Sequence, residues 1–466
     1  MYAERARSAR SAQRAQRTTP AGTRILWVQA DEPELAYVSI VFSVGFSALP
    51  PKQAHFAHFV EHIIAHLAPD ERRRVDAAGV ECNAYTTEYF TGFHASGLAS
   101  GILEAYLPIL ASRLASPPSD ALTHKNEASA VVSELHQHAA QPSVAHTIHV
   151  ASAESPDSLD ALDFATHIAF MSKLVKEPEP KLVASYVRAH FVPSRAHITV
   201  SCAALRRETL ISAALDAVST EGTLFHTPPR APRLPRALPS ALKTSLKGTQ
   251  STKSTKTKGA KGPKSAMSVA ACAPDAKTHF SILVPIAVSV DEGLVASFCA
   301  QTLRDALFDE LRTRLGLLYS VNVSYVSHSP TAREHERCRA ELSVYAMCAG
   351  THVAAAVVAA QNVISSWAVT DRDVRAWCDA HRASVLSARA CRTPESLASW
   401  YELKGLGAYP MRSHDETLEY LQNFPVARAV SICRALRDAP LRIYVTTGDE
   451  RPSVVRSRIE RLSVGP

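Results

Sequence analysis

Three features that would narrow the class of this 466-residue chain are missing from its sequence. It has no uninterrupted apolar run of about 18 residues, so we expect no membrane-spanning helix. No apolar segment follows the N-terminal arginines, so we expect no secretory signal. The nine cysteines are odd in number and include no C-x-x-C pair. That pattern predicts reduced thiols in a cytosol-like compartment, not a disulfide framework.

Acidic residues are almost absent from the N-terminal segment, residues 1–22, where Glu4 is the single acid among arginine, serine and alanine. This composition predicts a disordered basic tail, and it is also typical of a mitochondrial presequence. We therefore expect a cytoplasmic protein, with the mitochondrial matrix as the alternative. With 466 residues the chain is too long to fold around one small hydrophobic core, so its length predicts two domains.

Large apolar residues are nearly absent from residues 226–277, which are rich in proline, serine, threonine, lysine and glycine. This predicts a flexible basic linker. Residues 230–264 contribute +10 and residues 1–24 contribute +5 to the net charge of +7, so the rest of the chain carries −8. A mildly acidic body favours basic peptides and argues against nucleic acid as a partner. Non-specific contact of the linker with nucleic acid or acidic lipid remains an alternative.

The apolar pattern repeats on the two sides of the linker. Each side has a strand, a long helix, a further strand, more helices and a closing strand. This order predicts an α+β fold of two similar domains, residues 23–225 and 278–466, each a mainly antiparallel sheet with helices packed on one face. The predicted strands are 24–29, 35–46, 81–96 (a strand or hairpin), 193–203, 278–289, 317–326 and 440–445. The predicted helices are 51–67, a segment ending at Gly79, 103–114, 121–139, most of 140–190, and 291–314.

The predicted helix 51–67 contains an H-x-x-E-H motif, with His58, Glu61 and His62. Histidines four residues apart lie one above the other on a helix and can hold one zinc ion as neutral imidazoles. Glu61 leans toward the same face and can reach a metal-bound water, but it cannot easily be a third ligand. The alternative is a surface helix with scattered histidines, of which the chain has 20.

The predicted helix 121–139 offers carboxylates for a third ligand. Glu127 and Glu134 are seven residues apart, nearly two turns, so they share one helix face. A solvated face would look the same, but Ala130 and Val131 on this face favour partial burial.

Taken in order, the segments His58–His62, Asn83-Ala84-Tyr85-Thr86 and Glu127–Glu134 resemble the pitrilysin/insulinase family of zinc endopeptidases, the inverzincins. They are most similar to the mitochondrial processing peptidase-like branch. After the linker, Leu307–Arg312 and Leu315–Ser320 resemble the Arg/Tyr signature of the family's inactive half. The second half of the chain has no H-x-x-E-H motif.

The resemblance implies a zinc-dependent metalloendopeptidase that hydrolyses peptide bonds of peptides or small unfolded proteins. His58, His62 and Glu134 would hold one Zn²⁺ per chain, and Glu61 would act as general base by activating a zinc-bound water. The resemblance also implies that Glu127 orients the site and that Asn83 and Ala84 lie on an edge strand that pairs with substrate. It further implies that Arg312 and Tyr319 reach over from the second domain. There Tyr319 would stabilise the carbonyl oxygen as it becomes charged.

The sequence departs from the family near the motif. His55 replaces a usual glycine, His66 adds a third histidine to the same helix row, and Phe93 replaces a common tyrosine. The alternative function is a non-catalytic scaffold or binding subunit of a processing complex, although such relatives usually lose the histidines or the glutamate. The expected partners are a peptide substrate and a second copy of the chain in a homodimer, with no nucleic acid and no membrane insertion.

Overall fold

The computed structural model describes residues 14–141, 143–154, 164–219, 265–272, 277–289, 292–327, 340–390, 393–405, 412–448 and 450–463. Each half of the chain contains one mixed sheet with its own hydrophobic core. The strands of the first sheet are β1 Arg14–Thr18, β2 Arg24–Gln29, β3 Leu35–Phe42, β4 Val80–Thr86, β5 Thr91–Leu98 and β6 Ala196–Cys202. Those of the second are β7 Ala266–Ala271, β8 Thr278–Ile286, β9 Leu318–Ser327, β10 Ala340–Cys348 and β11 Arg442–Thr447.

Helices connect and cover the strands. In the first half they are α1 His55–Ala65, α2 Pro69–Ala77, α3 Leu107–Ala115, α4 Ala121–Ala139, α5 Val144–Glu154, α6 Phe164–Lys176, α7 Pro180–His190 and α8 Arg207–Val218. In the second half they are α9 Gly293–Phe308, α10 Val353–Ser366, α11 Asp371–Ala390, α12 Pro394–Gly405, α13 His414–Gln422, α14 Val426–Arg437 and α15 Pro452–Ser463. None of the described helices is by itself long and apolar enough to cross a membrane; α10 and α11 meet that test only as a pair bent by 105°.

Apart from the additional outer strand β1, the two sheets have the same topology. Their strand orders are β1-β2-β6-β3-β5-β4 and β7-β11-β8-β10-β9. One pair in each sheet is parallel, β2 with β6 and β7 with β11, and every other pair is antiparallel. The series β2-β6-β3-β5-β4 therefore corresponds strand by strand to β7-β11-β8-β10-β9. This confirms the predicted α+β fold with two similar, mainly antiparallel domains.

Two outer strands lie where the sequence predicted no structure. β1 lies in the predicted tail 1–22, and β7 lies in the predicted linker 226–277. Each is held by backbone hydrogen bonds to one neighbouring strand, and neither is fully buried. A partly exposed outer strand does not need the alternation of apolar and polar residues from which a strand is predicted. These parts of the two predictions were wrong; residues 1–13 of the tail and most of the linker lie outside the described residues.

A close approach of two glycines holds the turn between α2 and β4 against β5. Gly79 has a φ of +67° just beyond the end of α2, which confirms the predicted helix end. Gly97 on β5 has a φ of +137°, and a Cβ there would lie 2.1 Å from the Gly79 carbonyl oxygen. A side chain at position 97 would therefore push β5 away from the start of β4, the strand that borders the candidate site.

Each half sends one helix onto the sheet of the other. α5 of the first half contacts β11 and β8, and α12 of the second half contacts β6, β3 and β2. Leu397 of α12 is buried in a small cluster with Leu26, Val28 and Ala30. The two halves are therefore joined by reciprocal packing as well as by the chain that connects them.

Candidate metal centre

The helix α1 is anchored by one apolar face and presents histidines on the other. A single 3₁₀ turn at Pro51–Gln53 leads into it. Each large apolar side chain it buries stabilises the fold by about 1.5–3 kcal/mol. The buried apolar residues are Phe56, Ala57, Phe59, Val60, Ile63 and Ile64. The opposite row carries His55, His58, His62 and, just past the helix end, His66.

The helix α4 faces α1 and runs in the opposite direction. It begins at an N-cap, where the Asp120 carboxylate accepts a hydrogen bond from the Thr123 backbone N–H at 2.7 Å. Glu127, in its first half, contacts His62 and His66 near the end of α1, whereas Glu134 contacts His58 and His62 further back. The two glutamates thus lie on one face, as their spacing predicts.

Three side chains converge at distances that suit a tetrahedral metal ion. The Nε2 atoms of His58 and His62 are 3.1 Å apart. The Glu134 oxygens lie 3.4 Å from His58 Nε2 and 3.7 Å from His62 Nε2. Zinc bonds of about 2.0–2.2 Å in a tetrahedron place ligand atoms about 3.3–3.6 Å apart. The geometry and the His₂Glu donor set therefore both fit a catalytic zinc site.

Glu61 lies beside these three side chains and is buried. One of its oxygens is 3.9 Å from His58 Nε2, farther than the nearer Glu134 oxygen, and it accepts a hydrogen bond from the Thr86 hydroxyl at 3.1 Å. His58, Glu61 and His62 also form a compact group of metal-ligand type. Burial raises the pKa of Glu61 to about 7, opposed by His62 and Thr86. A carboxyl that titrates near neutrality can both accept and return a proton.

Glu127 holds two histidines through hydrogen bonds. His62 Nδ1–H donates to one carboxylate oxygen at 3.1 Å, and His66 Nδ1–H donates to the other at 2.7 Å. Burial acts to raise the pKa of Glu127, but the bonds from His62 and His66 outweigh it and lower the pKa, so the carboxylate is ionised. Because the Nδ1 of His62 carries the proton, neutral His62 has its lone pair on Nε2, facing His58. Burial also lowers the pKa of His58 to about 4, which keeps that imidazole neutral at pH 7.

The site opens into a cavity of about 950 Å³. Asn83 and Ala84 of β4 line it, and β4 is an outer strand of the first sheet. A strand in that position has one edge free of sheet partners. The cavity is therefore bordered by the candidate metal ligands on two helices and by a strand edge.

No family model matches the chain, and no curated protein matches it. Solved structures do. A peptidase M16 inactive domain from Pseudomonas fluorescens has a TM-score of 0.66 at 14% identity, covering 94% of this chain and 100% of that one. The first half of the periplasmic protease PqqL from Escherichia coli has a TM-score of 0.67 at 12% identity, covering 97% of each chain. Pitrilysin has a TM-score of 0.58 at 14% identity, covering 96% of this chain and 46% of its own.

The fold is that of the M16 peptidases. At identities of 12–14% these similarities establish the fold alone. The chain spans about half the length of pitrilysin and of full-length PqqL, of which it covers 46% each.

Within this M16 fold, Arg312 and Tyr319 lie together but outside the cavity lining. Arg312 belongs to the π-helical segment Asp309–Arg314, and its guanidinium carbon lies 4.5 Å from the centroid of the Tyr319 ring. Tyr319 is the second residue of the outer strand β9, and 76% of it is exposed. The described residues that line the cavity all come from the first half of the chain. The structure therefore pairs these two side chains without bringing them to the candidate ligands.

Several residues that the sequence analysis gave no role also line the cavity of the M16 fold: His138 on α4, Phe164 and His167 on α6, and Thr86 at the end of β4. His138 follows Glu134 by one helical turn, so the helical period could have placed it. The ring of His55 lies 4.8 Å from that of His167, and burial lowers the pKa of His55 to about 3. No local signal predicts the contributions of α6 and Thr86, because they depend on how distant elements pack.

Proposed function

We propose that the protein is a zinc-dependent metalloendopeptidase that hydrolyses peptides or small unfolded proteins. The observation that carries the proposal is the convergence of His58, His62 and Glu134 at ligand-to-ligand distances of 3.1–3.7 Å on the wall of a cavity. Zinc held by these side chains would supply Lewis-acid polarisation of a carbonyl group and would acidify water. The histidines contribute neutral nitrogens and Glu134 contributes the negative charge.

Glu61 would handle the proton in this reaction. Its carboxylate would accept a proton from the attacking water and deliver it to the nitrogen of the departing amine. The Thr86 hydroxyl, 3.1 Å from one Glu61 oxygen, would hold that side chain in its orientation.

The outer strand β4 is the proposed binding edge for substrate. Asn83 and Ala84 lie on β4 and line the same cavity as the candidate ligands. An extended peptide that adds to this edge would form main-chain hydrogen bonds with β4 and lie across His58 and His62. Pairing of this kind requires an unfolded segment, which favours peptides or unfolded proteins over compact ones.

The second half would complete the site through Arg312 and Tyr319. The Tyr319 side chain is largely exposed, so its hydroxyl is available to stabilise the substrate carbonyl oxygen as charge develops. Among the residues that the structure describes, the cavity lining comes from the first half, so this role requires an approach of the second half or of a second copy of the chain. A homodimer would match the length of pitrilysin, of which one chain covers 46%.

A non-catalytic scaffold or binding subunit of a processing complex is the second candidate, and one of the similar structures is an inactive M16 domain. Against it stands the complete set His58, Glu61, His62 and Glu134 in the first half. The two candidates differ in whether the protein turns over peptides.

The test combines metal analysis with cleavage. Purified protein is assayed for zinc content and for hydrolysis of a quenched peptide library, before chelation, after chelation and after zinc is restored. We expect about one zinc per chain and cleavage that is lost and regained with the metal. Zinc binding without any cleavage would favour the binding subunit, and absence of both would reject the metal centre. Tyr319→Phe should keep the zinc and lose about 2.7–4 kcal/mol of transition-state stabilisation; unchanged activity would remove Tyr319 from the site.

A further inference from the structure

We infer that His66 is a positioning residue of the metal centre, acting through Glu127 to fix the orientation of His62. The inference rests on the proposed metal function and adds a member to the site that lies beyond the H-x-x-E-H motif. The observation behind it is that the Glu127 carboxylate accepts hydrogen bonds from two imidazoles, those of His62 and His66.

Both oxygens of Glu127 are engaged by histidines. One accepts from His62 Nδ1–H at 3.1 Å, and the other accepts from His66 Nδ1–H at 2.7 Å. The three side chains are partly buried, with exposed fractions of 18% for His62, 20% for Glu127 and 30% for His66. The bond to His66 is the shorter of the two, so His66 is the stronger anchor of the carboxylate.

The second bond matters because a carboxylate held at one oxygen can rotate about its terminal torsion. With His66 on one oxygen, the other oxygen stays directed at His62 Nδ1. That contact keeps the proton of His62 on Nδ1 and leaves the Nε2 lone pair facing His58 Nε2, 3.1 Å away. The chain His66–Glu127–His62 thus presets one metal ligand before any metal arrives.

The location of His66 points to this role. It follows the last residue of α1 as its C-cap, where its backbone N–H bonds to the His62 carbonyl oxygen at 2.9 Å. Its side chain lines the cavity and makes its polar contact with Glu127. A residue at this position is not needed to fill the apolar core, so its removal tests the hydrogen bond more than the packing.

The experiment measures zinc affinity by competition with a chromophoric chelator. The variants are His66→Leu, which removes the donor, and His66→Asn, whose side-chain N–H can replace Nδ1–H. We expect His66→Leu to weaken zinc binding about tenfold, the low end of the range for residues that support a ligand. His66→Asn should recover most of that loss. His136→Leu, on an exposed part of α4 outside the cavity lining, is the matched control and should bind as the wild type.

Two further readouts separate positioning from a general structural effect. Combining His66→Leu with Glu127→Gln should weaken zinc binding no more than Glu127→Gln alone, because both act through one contact. The visible absorption spectrum of the cobalt-substituted protein should shift in His66→Leu and return in His66→Asn. If His66→Leu does not fold, His66→Phe makes the same test with a ring that has no donor.

Equal zinc affinity and equal cobalt spectra for wild type and His66→Leu would overturn the inference while leaving the proposed function intact. Additive losses in the double variant would also overturn it. A wild-type protein that binds no zinc would instead refute the metal centre itself, and the inference with it. The two failures are therefore distinguishable in one series of measurements.

Discussion

Two pairs of histidines in this protein have similar helical spacing but different surroundings. On α1, His58 and His62 face each other and the carboxylates of α4. On α5, His146 and His149 face the second sheet. His146 contacts the Thr446 hydroxyl at 3.0 Å through Nδ1 and the Ser281 hydroxyl at 2.8 Å through Nε2.

His149 repeats that arrangement. Its Nδ1 lies 3.1 Å from the Thr446 hydroxyl and its Nε2 lies 2.9 Å from the Ser268 hydroxyl. Both nitrogens of each ring on α5 are thus occupied by hydroxyls, and neither ring has a nitrogen directed at a carboxylate. On α1 the ring nitrogens converge with Glu134 at a cavity. Helical spacing therefore selects a candidate pair of histidines. The side chains that face the pair, carboxylates for α1 and hydroxyls for α5, decide whether it suits a metal site or a structural contact.

The largest expected difference between the two histidine pairs is in the rate of peptide cleavage. Glu61→Gln should lose about 10²–10⁴ in the rate of peptide cleavage, the usual contribution of a general base, while zinc content stays near one per chain. The matched change in the other cluster, His149→Gln, should leave the rate within a few-fold. Steady-state kinetics and metal analysis of both proteins check this. Normal cleavage by Glu61→Gln would show that another group handles the proton.

The next effect concerns stabilisation by metal. Free zinc at about 1,000 times its dissociation constant should add about 4 kcal/mol to the free energy of unfolding, because it binds the folded chain. Glu134→Gln should abolish the zinc-dependent rise in melting temperature, and His149→Gln should preserve it. Thermal unfolding with and without zinc measures both. A zinc response that depends on His149 would mean that the α5 cluster also binds metal.

A smaller effect separates the two glutamates of α4. Glu127→Gln should weaken zinc binding or activity about 10- to 100-fold, because it supports His62 without contacting the metal. Glu134→Gln replaces a charged ligand with a weak neutral one and should lose most of the metal. Zinc titrations of both variants show which of the two loses more zinc affinity. If Glu127→Gln loses the metal and Glu134→Gln retains it, the assignment of the ligand is wrong.

The last effect is on the free energy of unfolding at acid pH, and it comes from His146 on α5. Burial, together with the nearby His279 and His149, lowers the pKa of His146 from 6.5 to about 3. Between these two pH values the unfolded chain binds one more proton here than the folded chain does. The free energy of unfolding therefore falls with decreasing pH, by about 1.4 kcal/mol per unit. His146→Gln should remove this contribution below pH 6.5 and have no effect on the pH dependence above it.

Urea unfolding at several pH values between 4.5 and 7.5 would measure that slope. The exposed His136 supplies the control, since His136→Gln should leave the slope unchanged. An identical slope in wild type and His146→Gln would show that the α5 histidine is not the group that takes up the proton.

Much of the fold could be predicted because its signals are local. The bounds predicted for β2, Arg24–Gln29, and for α4, Ala121–Ala139, agree with the structure. The predicted strand 35–46 ends earlier, at Phe42, because the chain turns into the short 3₁₀ segment Phe46–Ala48. β1 and β7 were missed for another reason: they depend on backbone hydrogen bonds to strands that lie elsewhere in the chain.

The sequence by itself determined which side chains share a helix face, because a period of 3.6 residues acts over one or two turns. That period places His58 with His62, and Glu127 with Glu134. Only the tertiary structure decided which faces meet. The hydrogen bonds that Glu127 accepts from His62 and His66, and that Glu61 accepts from Thr86, join residues 65, 61 and 25 positions apart. Such contacts arise from the packing of α1 against α4 and β4, and no pattern within a single segment carries that information.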